Sequence, residues 1–286
     1  MVVINGNAKI NLTLDILGKR EDGYHEVSMV MQSIGLHDTL EMERRAGDIL
    51  LEIDVPGLEA DERNLAWRAA DLIMRRFHLE DGVHIRLTKR IPIAAGLAGG
   101  SADAAAVLRG MNELYGLGLD GRKLCELGAQ LGSDIPFCIM GGTMLTTGRG
   151  EVLTRLPDLP EMSVVLAKPR ISVSTAWAYQ TYDAQGAEQH PDNEAVQDAL
   201  RAGDAAAVAK RLCNVLESVT MKTHEIISVY KEMMVEQGAL ASMMSGSGPT
   251  VFALAASETQ AEKIAAFMRR ATEAEVFVTK TTGRVC

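Results

Sequence analysis

Residues 91–108 read IPIAAGLAGGSADAAAVL, and this stretch decides the fold prediction. It opens with a proline and glycines that cannot propagate a helix, whereas residues 102–111 can do so readily. A helix therefore begins near Gly99, Gly100 and Ser101, where the first N–H groups lack partners and the helix dipole leaves a partial positive charge. A glycine-lined helix start predicts a site for an anion, most often a phosphate.

Two common nucleotide-binding motifs do not fit this stretch. The P-loop of many nucleoside triphosphatases requires GxxxxGK[ST], and no lysine follows these glycines. The dinucleotide fingerprint GxGxxG has an acidic residue about 20 positions later and follows a strand, whereas here GLAGG follows a proline. What remains is a phosphate site in which backbone N–H groups make most contacts. The alternative to phosphate binding is a purely structural role, in which the small residues of this stretch let a helix pack closely against a sheet.

The composition is that of a globular protein with an acidic balance. The chain has 286 residues, of which 47% are hydrophobic and 23% charged, and its formal net charge is −9. This length predicts two domains of ordinary size, and the negative charge disfavours non-specific nucleic-acid binding. Scattered basic pairs indicate solvated surfaces at 44–45, 75–76, 89–90 and 269–270.

The cysteines and the start of the chain give no sign of secretion or metal binding. The four cysteines lie far apart without a CxxC pair, which indicates neither a zinc site nor a disulfide framework. The start MVVINGNAKIN lacks the pattern of a signal peptide. No apolar run approaches the ~18 residues that a membrane helix needs. We therefore expect a cytoplasmic protein without a membrane partner.

Hydrophobic periodicity predicts a mixture of strands and helices. Residues 10–16 (INLTLDI) alternate strictly, which indicates a half-buried strand with Lys9 on its polar side. Separate strands are predicted at 27–33 and 39–43, and a helix at 224–237. The elements follow one another without a regular βαβα order, which favours an α+β fold.

A segment with two prolines marks the predicted domain boundary. Residues 156–163 read LPDLPEMS and separate the strand-rich first half from a second half that opens with an apolar strand. The predicted domains are therefore 1–160, which contains the glycine-rich stretch, and 161–286.

Lys9 and Asp134 are candidates for proton chemistry on a hydroxyl group. A lysine at the start of an apolar strand is usually exposed, but it could provide a fixed charge for an anionic substrate. Asp134 in GSDIPFC (132–138) is either the N-cap of a short helix or a buried acid beside a lysine. Hydroxyl activation needs a carboxylate to accept the proton and a cation to keep it ionised. The residue pattern leaves open whether the two meet.

Two aromatic segments and a second glycine-rich turn have both structural and binding interpretations. Tyr24 and His25 in KREDGYHE (19–26) either cover the core or form a stacking surface for a flat base. Tyr179 either packs within its helix or forms the opposite wall of that site. SGSGPT (245–250) is either a simple hairpin turn or a second loop that closes on the first.

Five motifs, in their order along the chain, resemble those of the GHMP kinases, the superfamily of galactokinase, homoserine kinase, mevalonate kinase and phosphomevalonate kinase. They are AKINL (8–12), GYHE (23–26), PIAAGLAGGSADAA (92–105), SDIPF (133–137) and SGSGPTVFAL (245–254). The resemblance covers nearly the whole chain and implies a two-domain α+β fold. The N-terminal domain would be ribosomal-protein-S5-domain-2-like and the C-terminal domain ferredoxin-like, with the active site in the cleft between them.

Within the superfamily, AKINL, DGYHE and GSDIPF resemble kinases of non-mevalonate isoprenoid (terpenoid) biosynthesis that phosphorylate a cytidine diphosphate-linked methylerythritol. The resemblance implies ATP and Mg²⁺ as cofactors, with unknown metal ligands, and a monomer or homodimer without nucleic-acid or membrane partners. Asp134 would take the proton of the 2-hydroxyl group, and Lys9 would keep Asp134 ionised.

The resemblance also implies two sets of binding residues. Residues 92–102, the phosphate loop, would wrap the ATP phosphates, and two further residues would approach the adenine. The ATP-binding set is Pro92, Ile93, Ala94, Ala95, Gly96, Leu97, Ala98, Gly99, Gly100, Ser101, Ala102, Asn64 and Lys89. The substrate-binding set is Asn11, Tyr24, His25, Thr175 and Tyr179, in which the two tyrosines would sandwich the cytosine and His25 would form a hydrogen bond to it.

Four positions depart from the superfamily pattern. Ala98 stands in place of a glycine, which predicts an ordinary φ there. Ala102 replaces a serine and leaves Ser101 to supply a hydroxyl contact to phosphate. Residues 214–217 read NVLE where the family has NDLE, and we interpret this segment as structural. Tyr179 stands in place of a phenylalanine, and either ring can stack on a base.

Two other functions stay open on the residue pattern. A GHMP kinase for homoserine or mevalonate would have no base to stack, so the aromatic residues would be idle. A catalytically silent nucleotide-binding regulator would have no need of both Lys9 and Asp134. Phosphate transfer to each substrate would separate these functions.

Overall fold

A computed structural model describes residues 1–285, which form eleven strands and ten helices in an α+β arrangement. The strands are β1 (Val2–Lys19), β2 (His25–Arg45), β3 (Leu50–Ile53), β4 (Gly82–Thr88), β5 (Thr143–Thr147), β6 (Val152–Arg155), β7 (Ser163–Lys168), β8 (Cys213–Asn214), β9 (Ala241–Met244), β10 (Val251–Ala255) and β11 (Glu275–Lys280). The helices are α1 (Leu65–Phe77), α2 (Gly99–Tyr115), α3 (Gly121–Gly128), α4 (Ile135–Met140), α5 (Thr175–Gln185), α6 (Asn193–Arg201), α7 (Ala205–Ala209), α8 (Glu217–Thr223), α9 (Ile226–Glu236) and α10 (Glu258–Ala271). Within the described range, no helix combines the length and the apolar character needed to cross a bilayer.

The first sheet is built around the long hairpin of β1 and β2. Its strands follow the order β3-β4-β2-β1-β8, and β5 pairs with both β2 and β6. The prediction of separate strands at 27–33 and 39–43 is wrong, because β2 is one continuous strand of 21 residues. Register shifts along the hairpin, one of them between Asn7 and Lys9, let such long strands bend while they stay paired.

The second sheet gives the C-terminal half its own apolar core. Its strands follow the order β11-β7-β10-β9, and every pair is antiparallel. Helices α9 and α10 pack against it. All five residues of β10 are buried, including Phe252, and Val165 of β7 is fully buried beside it. The two central strands, β7 and β10, therefore form the buried part of this sheet, whereas β11 lies at a partly exposed edge.

The predicted domain boundary falls at the change from one sheet to the other. Residue 160 lies between β6 of the first sheet and β7 of the second. However, β8 returns from the second half and pairs in parallel with β1 at Thr13 and Leu14. The division into 1–160 and 161–286 therefore stays a prediction.

Three short elements were missed in the sequence. Helix α8 precedes α9, which begins at Ile226 instead of 224, and strands β6 and β8 have only four and two residues. Elements this short carry no periodicity and depend on partners elsewhere in the chain. For β8 the partners are clear, since the Asn214 amide donates to the carbonyls of Met244 and Gly246 at 2.9 and 2.8 Å. This bonding agrees with the structural interpretation of residues 214–217.

Helix α2 begins at Gly99, as predicted, and lies against the first sheet. Nine of its 17 residues are buried, and five of these are alanine or glycine. Small side chains allow a close approach: a Cβ on Gly6 of β1 would lie 2.6 Å from the carbonyl oxygen of Ala102. The position of the phosphate loop therefore depends on a contact between backbones.

A buried cluster of charges fixes the chain where the phosphate loop begins. Lys89, directly after β4, donates to Asp38 of β2 and to Asp103 of α2, the latter at 2.8 Å. Asp38 also accepts hydrogen bonds from the backbone N–H groups of Arg90 and Ile91, the second at 2.8 Å. The basic pair at 89–90 predicted a solvated surface, and for Lys89 this prediction is wrong, because its side chain is buried between Asp38 and Asp103. It links a strand, a helix and the loop.

Asp103 is the strained member of this cluster. Burial raises the pKa of its carboxyl group to about 8; the ammonium of Lys89 opposes this shift, and repulsion from Asp38 adds to it. Its Oδ1 atom is buried and finds no hydrogen-bond partner within residues 1–285. The folded state therefore favours the protonated form of Asp103.

Gly6→Ala is expected to lower the free energy of unfolding by about 2 kcal/mol or more. The new Cβ would meet the Ala102 carbonyl oxygen at 2.6 Å and displace α2 from β1. Gly283→Ala is the matched control, because a Cβ there has no neighbour within 4 Å. Urea denaturation followed by circular dichroism measures both, and equal midpoints would contradict the close contact.

Asp103→Asn is expected to remove a pH dependence of stability. A carboxyl group whose pKa rises on folding stabilises the folded state fully below 3.8, and this contribution is lost as the pH rises through about 8. An amide does not ionise, so the stability of the variant has no such dependence on pH at this position. When the pH is raised from about 5 to about 9, the free energy of unfolding should fall less in the variant than in the original protein. The difference between the two decreases should be at least about 1 kcal/mol.

Asp38→Asn is the contrasting variant for this measurement. It weakens the acceptor for Lys89 and for two backbone N–H groups, so it should destabilise the protein by about 2 kcal/mol at about pH 5. It also removes the repulsion that raises the pKa of Asp103, so the destabilisation should be smaller at about pH 9. Parallel curves of stability against pH for Asp103→Asn and the original protein would contradict the raised pKa of Asp103.

Candidate active site

One cavity of about 940 Å³ brings together nearly all the site residues predicted from the sequence. It is bordered by both halves of the chain, for example by Lys9 and Asp134 from the first and Tyr179 from the second. Leu97 and Ala102 are the exceptions, since both belong to the phosphate loop but are buried and do not border the cavity. Side-chain contacts of these two with ATP are therefore not supported, and the missing hydroxyl at 102 is no loss to the cavity.

The phosphate loop takes a left-handed backbone at three positions. The φ values of Ala94, Gly96 and Ala98 are 51°, 75° and 59°. The prediction of an ordinary φ at Ala98 is wrong. This alanine adopts the left-handed conformation, which costs a residue other than glycine roughly 1–2 kcal/mol. Ala98 is the N-cap of α2 and makes no side-chain capping bond. The first N–H groups of α2 thus have no side-chain cap, which suits an anion.

The turn SGSGPT joins β9 to β10 and also closes on the phosphate loop. The Ser245 hydroxyl donates to the Gly96 carbonyl at 2.9 Å, and the Thr250 N–H donates to the Ala95 carbonyl at 3.4 Å. A Cβ on Gly96 would lie 2.2 Å from the Ser245 carbonyl oxygen. Both interpretations of the turn are therefore correct.

Lys9 is a buried cation at the edge of the cavity. Only 4% of the residue is exposed, so the surface interpretation is wrong. Its ammonium donates to Asn11 Oδ1 at 2.6 Å and to the Gly96 carbonyl at 3.1 Å. Both acceptors are neutral, and no carboxylate within residues 1–285 forms an ion pair with Lys9. Its charge is therefore available to an anionic ligand.

Asp134 has a carboxylate without a structural task. It occupies the N-cap position of the short helix α4, as the capping interpretation predicted, but its side chain makes no capping bond. The carboxylate borders the cavity beside Gly150, where a Cβ would lie 4.0 Å from Oδ1. The sequence left open whether Asp134 and Lys9 meet; within residues 1–285 they form no ion pair, since their charged atoms are more than 4.0 Å apart. The two share a cavity, and Asp134 can accept a proton there.

The two residues predicted to approach the adenine are held by other protein groups. Lys89 lies between Asp38 and Asp103. Asn64 is the N-cap of α1: its Oδ1 accepts from the backbone N–H of Ala66 at 2.9 Å. Lys89 and Asn64 both border the cavity, so they shape its wall, and their contacts with ATP stay predictions.

An aromatic and cationic group borders the same cavity. The rings of His25 and Tyr179 lie 4.9 Å apart and are tilted by 43°. Tyr24 is 55% exposed, and the guanidinium of Arg149 lies 5.0 Å from its ring centre. Burial raises the pKa of Tyr179 well above its usual range, so the phenol is neutral. Both tyrosines face one cavity, and the cytosine sandwich stays a prediction.

Asn11 and Thr175, predicted to hold the substrate, are each fixed by a hydrogen bond to a neighbour. Asn11 is fully buried and accepts from Lys9, as described. Thr175, the first residue of α5, shares a hydrogen bond of 2.9 Å with Ser247 of the second glycine turn. The position of Thr175 is therefore tied to the second glycine turn, and that of Asn11 to Lys9 on the same strand.

Several charged residues of the cavity were missed in the sequence. They are Lys19, Glu59, Arg63, Asp103, Arg149 and Asp183. Asp183 lies four positions after Tyr179 on α5, a spacing that puts both on one helix face and could have indicated it. Arg149 lies between two glycines, which signalled only a turn. Arg63 precedes α1 in a loop that offers no pattern.

Family models place both halves of the chain. The model described as GHMP kinases N terminal domain matches residues 64–142, and the one described as GHMP kinases C terminal matches 196–274. A protein of Acetivibrio thermocellus named 4-diphosphocytidyl-2-C-methyl-D-erythritol kinase is 48% identical over 280 residues, or 98% of this chain and 99% of that one. A protein of the same name from Synechococcus sp. is 54% identical over 258 residues, or 87% and 84% of the two chains.

Solved structures agree with these relatives. A crystal structure of 4-(cytidine 5'-diphospho)-2C-methyl-D-erythritol kinase matches with a TM-score of 0.84 and 32% identity, covering 99% of this chain and 100% of that one. A homoserine kinase from Cytophaga hutchinsonii matches with a TM-score of 0.75, 19% identity and 99% and 95% coverage, which shows a shared fold. This chain belongs to the 4-diphosphocytidyl-2-C-methyl-D-erythritol kinases, a family within the GHMP kinases.

Proposed function

We propose that this protein transfers the γ-phosphate of ATP to the 2-hydroxyl group of 4-diphosphocytidyl-2-C-methyl-D-erythritol, a step of non-mevalonate isoprenoid biosynthesis. The observation that carries the proposal is that one cavity contains a helix start without a side-chain cap, the carboxylate of Asp134, which forms no ion pair within residues 1–285, and an aromatic group. These suit a triphosphate, a hydroxyl group and a pyrimidine base. Action in the cytoplasm, as a monomer or homodimer, stays an expectation from the resemblance.

The phosphate loop would hold the nucleotide, and Lys9 would act on its transferred phosphate. The N–H groups at the start of α2 point along the helix dipole and favour negative charge. Lys9 is fixed to the carbonyl of Gly96 in that loop, so its ammonium lies beside the phosphate site. In this place the cation would offset the charge that develops on the transferred group.

Asp134 would act on the acceptor hydroxyl. Its carboxylate borders the cavity and makes no capping bond, so it can accept a hydrogen bond from the 2-hydroxyl group and then its proton. The oxygen so activated attacks the γ-phosphorus, and ADP leaves. Asn11 and Thr175 would fix the polyol near these groups, and Tyr24 and Tyr179 would stack on the cytosine.

Magnesium has no dedicated site among the described residues. Within residues 1–285, no group of three or more His, Cys, Asp or Glu side chains could hold a metal ion. Mg²⁺ is expected to enter with ATP, bound mainly by phosphate oxygens, and it supplies neutralisation of their charge. No reaction step is assigned to it.

The substrate class is tested by phosphate transfer with the purified protein. With ATP and Mg²⁺, the cytidine diphosphate-linked methylerythritol should be converted to its 2-phosphate, which ³¹P NMR identifies. Homoserine and mevalonate should react much more slowly, because neither has a base to fill the aromatic group. Faster turnover of either would overturn the substrate assignment, and ATP binding without any turnover would indicate a silent regulator.

Asp134→Asn is expected to lower kcat by at least about 100-fold while ATP affinity stays unchanged, because the amide cannot accept the proton. Lys9→Met should also act on kcat more than on nucleotide affinity. Steady-state kinetics and calorimetric titration with an ATP analogue measure the two quantities. Retained turnover in Asp134→Asn would contradict the base role.

Asp198→Asn is the matched control for these variants. Asp198 lies on α6, 67% of its side chain is exposed, and it does not border the cavity. Its kinetic constants should stay within about twofold of those of the original protein.

A further inference from the structure

Helix α5 presents three residues to the cavity at a spacing of four. Thr175, Tyr179 and Asp183 lie one turn apart on one face, and all three border the cavity. The first two have roles in the proposed reaction. The carboxylate of Asp183 has none there, although it is a charged group at a site for an anionic substrate.

Asp183 is bound to His25 and to Lys19. His25 Nε2 lies 2.6 Å from Asp183 Oδ1, and Lys19 Nζ lies 3.0 Å from Oδ2. The His25 side chain is 11% exposed and that of Asp183 29%. The hydrogen bond from His25, with that from Lys19, lowers the pKa of Asp183, so the group is a carboxylate at neutral pH. Each of its oxygens thus has one donor.

The bond to Asp183 determines which nitrogen of His25 carries the proton. A carboxylate only accepts hydrogen bonds, so the shared proton belongs to Nε2. In a neutral imidazole the other nitrogen, Nδ1, then carries a lone pair and can only accept. Within residues 1–285 no hydrogen bond to His25 Nδ1 is formed. Nδ1 is therefore the ring atom left for a ligand.

The ring of His25 is also held in place. It packs on the ring of Tyr179 at 4.9 Å, and Tyr179 is fixed on the same helix as Asp183. A change of tautomer would require loss of the 2.6 Å bond, and a flip of the ring would exchange the nitrogen that faces Asp183. Both the orientation and the protonation of the ring thus depend on α5.

The resemblance already implies that His25 forms a hydrogen bond to cytosine. We infer that Asp183 is a specificity-determining positioning residue: it fixes the tautomer of His25, so that the ring accepts from the 4-amino group of cytosine. Uracil has a carbonyl oxygen at that position, so two acceptors would face each other and the base would be rejected. A buried polar group left without a partner is a strong basis for discrimination. The choice of base rests on the proposed function, whereas the tautomer of His25 does not.

The tautomer is tested on the protein without substrate. At about pH 8 an ordinary imidazole is neutral, and ¹⁵N-labelled histidine side chains report which nitrogen is protonated. His25, assigned with His25→Gln, should be protonated on Nε2, with a resolved Nε2–H signal. Asp183→Leu should lose that signal through exchange with water. Lys19→Met, which removes only the other partner of Asp183, should keep it.

The specificity is tested with cytidine and uridine forms of the same substrate. In Asp183→Leu, KM for the cytidine form should rise about tenfold, and the preference for cytidine over uridine in kcat/KM should fall about tenfold. KM for ATP and kcat at saturation should stay within about twofold. A role in stability alone would lower the melting temperature and leave the preference unchanged.

The outcomes separate this inference from the proposed function. A proton of His25 on Nδ1 in the original protein, or an unchanged base preference in Asp183→Leu, would overturn the inference. Absence of phosphate transfer to the cytidine substrate by the original protein would overturn the proposed function while the Nε2 proton could still be observed. Loss of both the Nε2–H signal and the base preference in the variant supports the inference.

Discussion

The carbonyl oxygen of Gly96 is the point at which the parts of the site are joined. It accepts a hydrogen bond from the ammonium of Lys9 on β1 and another from the hydroxyl of Ser245 in the second glycine turn. One acceptor thereby connects the N-terminal strand, the phosphate loop and the C-terminal sheet. Only glycine permits this, because a side chain at position 96 would overlap the Ser245 carbonyl. The cavity keeps its shape because these three segments cannot move independently.

Binding of anions in this cavity depends on placed groups and not on a general positive field. The chain has a formal net charge of −9, and carboxylates border the cavity beside the cations. Of those cations, Lys89 is already paired with Asp38 and Asp103. The backbone N–H groups at the start of α2 and the charge of Lys9 therefore contribute most. This explains why the loop keeps its left-handed conformation at Ala98, since the direction of its N–H groups matters more than the side chain.

The sequence predicted the features that depend on neighbouring residues. The start of α2 at Gly99 follows from local propensity, and the glycine turn at 245–250 from its composition. Contacts between distant residues could not be predicted: Asp38 and Lys89 pair across 51 positions. The φ of Ala98 was mispredicted because the preference of an isolated alanine is small beside the closure of the loop by β1 and the second turn. The motif resemblance predicted most of the residues that border the cavity. The hydrogen-bond partners that hold these side chains in place could be identified only from the structure.

The separation of Lys9 from Asp134 is favourable for phosphate transfer. If the two formed an ion pair, a substrate hydroxyl could enter between them only by breaking it, and each charge would already be compensated. Lys9 is instead held by two neutral oxygens, which orient the ammonium and leave its charge uncompensated. Asp134 likewise keeps its acceptor capacity. In the proposed reaction, negative charge would pass from the carboxylate through the hydroxyl oxygen to the phosphate, so a cation at the phosphate end would stabilise the transition state more than the ground state.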